Sequence, residues 1–157
     1  MKTATIAEIK SELNNLEAPQ LAELCLRLAK FKKENKELLT YLLFEAFDEE
    51  AYITGAQEEI NRLFEEMNTG SLYFVKKSLR KILRYAAKTA RFSGAAETEA
   101  RLLLFFCRRL KESGIAFESS PVISNLYRNQ LKKIGKIISG MHEDLQYEYR
   151  KELKGLE

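Results

Sequence analysis

Helix start and stop signals punctuate this chain at short intervals, and nothing between them alternates like a β-strand or closes like a hairpin. Thr5-Ile6-Ala7-Glu8 is a capping box, in which a hydroxyl and a carboxylate satisfy the orphan amides of a helix start. The helix it opens is expected to run to about Leu16. Pro19 suits the first turn of a second helix through Phe31. A third covers about Asn35 to Phe47 and is apolar nearly all round, which predicts a central position with Leu43 and Phe44 deeply buried. A fourth spans 48–67, with Gly55 as a candidate break. Asn68-Thr69-Gly70-Ser71 is a stop followed by a new cap, and a long helix then runs from Leu72 to about Phe92, closed by Ser93-Gly94. Another extends from Ala95 to Ser113 and carries Leu103, Phe106 and Cys107 in a dense apolar run. Ser120-Pro121 caps the last helical region, which Gly135 and the Ser139-Gly140 step weaken, so one helix or two fit the stretch 121–154.

The fold class that follows is all-α, with seven or eight helices in a single domain over residues 1–157. Short connections and pairs near 19–47, 48–93 and 95–139 suit an α–α superhelix, loosely HEAT-like, and an irregular helical bundle is the other architecture that fits. No convincing internal sequence repeat separates the two. With 45% hydrophobic and 31% charged residues, the chain is ordinary for a folded domain.

Charge is unusually segregated along the chain. Between Asn68 and Ala96 no acid occurs, while Lys76, Lys77, Arg80, Lys81, Arg84, Lys88 and Arg91 recur at helical spacing, so residues 71–93 sum to +7. The preceding stretch, 48–69, holds seven acids against Arg62 and sums to −6. At 100° per residue the seven cations fall within an arc of about 140°, opposite Val75, Leu79, Ile82 and Ala86. Arg128, Lys132, Lys133 and Lys136 form a similar arc in the last region, where no acid occurs between Ser119 and His142. In a superhelix these two helices would be equivalent members of successive pairs and could share one basic surface. A one-sign face projects a field that a partner can use, although most charge runs are simply solvated.

Chemical signatures are missing from the sequence. The seven glycines are dispersed and form no phosphate loop, and a single histidine, His142, sits at a polar junction suited to capping. Glu49-Glu50 and Glu58-Glu59 are adjacent pairs, which diverge on a helix. Cys25 and Cys107 lie far apart in apolar surroundings without metal spacing and read as buried, reduced thiols. The segment Met1–Ile6 lacks the apolar core of a signal peptide, and the apolar run 38–47 is too short to cross a bilayer. The chain therefore reads as a cytoplasmic, non-enzymatic interaction or scaffold module. It needs no metal and no cofactor, touches no membrane, and takes a protein partner, with nucleic acid or another polyanion on the basic helix face as the alternative.

Overall fold

Eight α-helices build the chain in the computed structural model, which describes residues 1–157, Phe117 by its backbone alone. They are α1 (Ile6–Leu13), α2 (Ala18–Phe31), α3 (Lys33–Phe44), α4 (Glu49–Glu65), α5 (Leu72–Ser93), α6 (Ala96–Glu112), α7 (Pro121–Ser139) and α8 (Glu143–Lys154), with a 3-10 turn over Phe117–Ser119. Among the described residues there is no strand, and no helix is long and apolar enough to cross a membrane. The all-α expectation holds. So do the expected pairings: α2 packs on α3, α4 on α5 and α6 on α7.

Local chemistry explains most boundaries. Thr5 and Glu8 make the capping box in full: the Thr5 amide donates to the Glu8 carboxylate at 2.7 Å, and the Glu8 amide donates to Thr5 Oγ1 at 3.3 Å. Asp48 caps α4 and Ser71 caps α5. Gly94 ends α5 in the left-handed region at φ 70°, a conformation that costs a residue with a Cβ about 1–2 kcal/mol. Gly55 leaves α4 unbroken, whereas Ser139-Gly140 does divide the last region into α7 and α8.

Where the sequence reads as one domain over 1–157, the chain's contacts fall into two compact units, 1–44 and 45–157. The larger unit holds the core. Its hub is α6, which packs against α4, α5 and α7, while α8 returns onto α7. Leu103 and Phe106 are buried there as expected, with Leu102, Leu110, Ile60, Leu79, Ile134 and Ile138 around them. Polar ties hold the helix ends to this hub. Tyr52 Oη donates to the Thr89 carbonyl at 3.0 Å, joining α4 to α5. Glu49 accepts from the Ser93 and Thr98 hydroxyls, and Glu50 pairs with Arg101. Tyr149 Oη donates to Glu97 at 2.6 Å, and Tyr127 Oη donates to the Leu156 carbonyl at 2.6 Å, which fastens α8 and the C-terminal residues.

The smaller unit departs from expectation. Leu43 and Phe44 are 61% and 66% exposed, so α3 is not a central helix. A helix that is apolar all round needs neighbours on every side, and within its unit α3 is packed chiefly by α2. Among the described residues of this unit, Tyr41 is the one that is buried. Lys32, with extended backbone, separates α2 from α3, and Asn35 Nδ2 donates to the Leu28 carbonyl at 2.9 Å across that break.

The cysteines divide along the same line. Cys107 is buried in α6, and burial pushes its thiol up to about 12, whereas Cys25 on α2 is exposed, against the expectation that both are inaccessible. One thiol per native chain should therefore react promptly with a disulfide reagent at pH 8, and the second should appear only on unfolding. Cys25→Ala should abolish the fast phase; fast labelling that survives this change would mean that Cys107 is accessible.

Candidate functional site: a cationic ridge on α5

The residues that carry chemistry here are cations, and their placement follows from the core side of α5. Val75, Leu79, Ile82, Ala86 and Ala90 are buried against the hub, which turns Lys77, Arg80, Lys81, Arg84 and Arg91 outward and leaves Lys76 and Lys88 half-buried at the edges. Leu72 is exposed, together with Tyr73 and Phe74. The Tyr73 and Phe74 rings meet edge-on at 5.4 Å, so the first turn of α5 is an apolar step at the end of a charged ridge.

Along this ridge the surface is concave in two places. Lys76, Lys77, Arg80 and Arg84 line an open groove whose walls also include Tyr73 and Leu83. Arg84 is shared with a second hollow, where Lys88 and Arg91 face the turn at Gly94–Ala96 and Glu99 of α6. Lys88 Nζ also lies 5.9 Å from the centre of the Phe92 ring, a cation–π distance.

An acidic neighbour would neutralise such a ridge, and α4 is the acidic helix. Glu49, Glu50, Glu59 and Glu66 are engaged elsewhere, however, while Glu58 and Glu65 are exposed and bond to none of the ridge cations. Glu59 and Glu66 both bind Arg62 of their own helix, and this hydrogen bonding holds the Glu59 carboxyl below its ordinary range. Glu50 is held low by Arg101 in the same way, and Glu49 serves the α5–α6 junction. Lys81 contributes to the field at Glu59 without bonding to it. Among the described residues, Lys76, Lys77, Arg80, Lys81 and Arg84 take part in no ion pair.

The cations of α7 stand apart from this ridge. Arg128, Lys132, Lys133 and Lys136 are exposed, but α5 and α7 each pack on α6 and have little contact with each other. What lies between the two sets is Glu99. Its carboxylate binds Lys133 Nζ at 2.6 Å and also lines the hollow that holds Arg84, Lys88 and Arg91. Sequence reasoning did not single out Glu99. It belongs to a neutral stretch, and only the packing of α6 between the two basic helices shows what it borders.

His142 caps α8, accepting from the Asp144 amide through Nδ1 at 3.4 Å on an exposed surface. Compared with known proteins, the chain matches no family model, and neither a curated protein nor a solved structure is significantly similar to it.

Proposed function

We propose that this chain is a non-enzymatic helical interaction module that offers the α5 ridge to an acidic surface on a protein partner. One observation carries this reading: among the described residues, five ridge cations, Lys76, Lys77, Arg80, Lys81 and Arg84, are without a carboxylate partner, while Glu59 and Glu66 bind Arg62 and Glu50 binds Arg101. Exposed Leu72, Tyr73 and Phe74 at the same end give a partner apolar contact beside the charge, the mixture that protein interfaces use. Complementary charge would set the rate and selectivity of encounter, and the aromatic step most of the residence time. Two free cysteines suit a reducing compartment, so we place the module in the cytoplasm.

The test is cross-linking in extract with wild type and with the triple variant Lys77→Glu, Arg80→Glu, Arg84→Glu. Partners of the ridge should disappear from the variant and from wild type in about 0.5 M salt, where the Debye length falls to only a few Å. An unchanged partner set would reject the ridge as the contact surface. A second reading, nucleic acid on the same ridge, is favoured by the acid-free stretch 68–96 and by Tyr73 beside the groove, where a base can stack.

A further inference from the structure

One groove of α5 is lined by Tyr73, Lys76, Lys77, Arg80, Leu83 and Arg84. At 100° per residue these positions share a strip about 120° wide over some three turns of the helix. Side chains three and four apart on a helix are neighbours, so Lys76 with Arg80, Lys77 with Arg80 and Arg80 with Arg84 are like-charged pairs that repel. Helix α4 answers its own Arg62 with Glu59 and Glu66 at those same spacings. Along the groove no acid does so. None of its lining residues is a carboxylate, and among the described residues none of its four cations takes part in an ion pair.

The size of the groove and the number of its cations indicate which anion fits. Its volume is about 540 Å³. That lies within the roughly 300–1,000 Å³ of sites that hold one small ligand. A carboxylate brings one charge and two oxygens, enough for one arginine fork, and several carboxylates gathered in this space would repel one another. A phosphate monoester brings a charge of about −1.5 to −2 and three acceptor oxygens on one phosphorus. Arg80 and Arg84 stand one turn apart, so two guanidinium forks and the ammonium groups of Lys76 and Lys77 can share those oxygens. Tyr73 and Leu83 give the walls apolar surface for the carbon chain that carries the phosphate. A nucleic-acid strand fits less well. Its phosphates carry one charge each and continue along a backbone, and beyond Arg84 the ridge leads into the hollow bordered by the acid Glu99. A single phosphorylated side chain stops short of it.

We infer that the α5 groove is a binding site for a phosphorylated side chain of a protein partner, in which Arg80 and Arg84 take the phosphoryl oxygens, Lys76 and Lys77 complete the charge, and Tyr73 and Leu83 flank the adjoining carbon chain. The inference rests on the reading of the ridge as a protein-binding surface and names the chemistry of the acid it meets.

The test applies the full chain to immobilised peptide libraries with randomised flanks and phosphoserine, phosphothreonine or phosphotyrosine at the centre, beside the same libraries with glutamate there. Selected phosphopeptides should bind in solution about tenfold or more tightly than their glutamate counterparts. Lowering the pH through the second phosphate ionisation near 6 should weaken the phosphopeptides and leave the glutamate peptides unchanged, since the lysines and arginines of the groove keep their charge across that range. Lys77→Gln with Arg80→Gln and Arg84→Gln should lower phosphopeptide affinity by about tenfold or more with helical content kept, because all three side chains are exposed. Arg128→Gln with Lys132→Gln on α7 should leave it unchanged. Equal binding of phosphopeptides and glutamate peptides, or selection of no phosphopeptide, would overturn the inference. Mixed-sequence RNA that competes more strongly than every phosphopeptide would give the groove to nucleic acid instead, and inorganic phosphate that competes as well as they do would reduce it to a site for the free ion. If cross-linked partners of the ridge survive phosphatase treatment of the extract, the inference fails while the acidic-surface reading stands. A partner set that charge reversal of the ridge leaves unchanged removes that reading, and the inference with it.

Discussion

Truncating Phe106 to alanine is expected to destabilise the 45–157 unit by about 3–5 kcal/mol. The side chain is fully buried in α6, and its ring lies 5.7 Å from that of Phe64, tilted by 45°. Because α4, α5 and α7 all pack on α6, the space left by the ring is bounded by separate helices that cannot close on it together. The loss therefore combines the transfer of a large apolar group with an open cavity. The control is Phe44→Ala, the same chemical change at a position 66% exposed, expected to cost below about 1 kcal/mol. Denaturant unfolding followed by circular dichroism measures both, and hydrogen exchange assigns each change to its unit, since the two units need not unfold in one step. Equal losses from the two variants would mean that Phe44 is covered in solution.

Charge reversal on the ridge is expected to have the larger effect on binding. If nucleic acid occupies α5, five phosphate contacts from Lys76, Lys77, Arg80, Lys81 and Arg84 would give a log–log slope against salt of about −4 to −5 for duplex and about −3.5 for single strands. Lys77→Glu, Arg80→Glu, Arg84→Glu replaces three attractions with three repulsions and should abolish binding at low salt. Stability should change by less than about 0.5 kcal/mol, because these side chains are exposed and unpaired within the chain. Glu99→Gln should act in the opposite direction. It removes the acid between the two basic helices and frees Lys133, so affinity should rise several-fold. Fluorescence titration with mixed-sequence RNA and duplex DNA decides it. No binding of either at tens of micromolar protein excludes the nucleic-acid reading and leaves the protein-partner reading to the cross-linking comparison. A destabilised triple variant would show instead that the ridge cations hold the fold.

How far the sequence reaches depends on the range of the interaction involved. Caps, breaks and helical periodicity act over a few residues, so Thr5, Asp48, Ser71, Gly94 and Ser139-Gly140 place the helix ends close to where a reading of the chain puts them. The cationic arc of α5 was legible for the same reason: once a helix and its apolar side are known, the direction of every other side chain follows. The dense apolar run of α6 marked the hub, and Leu103 and Phe106 occupy it.

Burial outside that hub was not legible, because it depends on whether a neighbour arrives. Leu43, Phe44 and Cys25 have the local surroundings of core residues, yet the unit that contains them supplies a single packed pair, α2 on α3, and too little covering surface. The isolation of the ridge was equally a tertiary outcome. Acidic α4 and basic α5 are packed neighbours, and composition alone suggests mutual neutralisation. The positions of Arg62 and Arg101 instead draw Glu50, Glu59 and Glu66 away. The separation of the two basic helices by α6, with Glu99 between them, was decided by packing as well. The helices and the direction each charge faces are set within one turn of backbone, so both can be read along the chain. Which apolar faces are covered and which cations remain unpaired depends on groups that packing brings together across tens of residues.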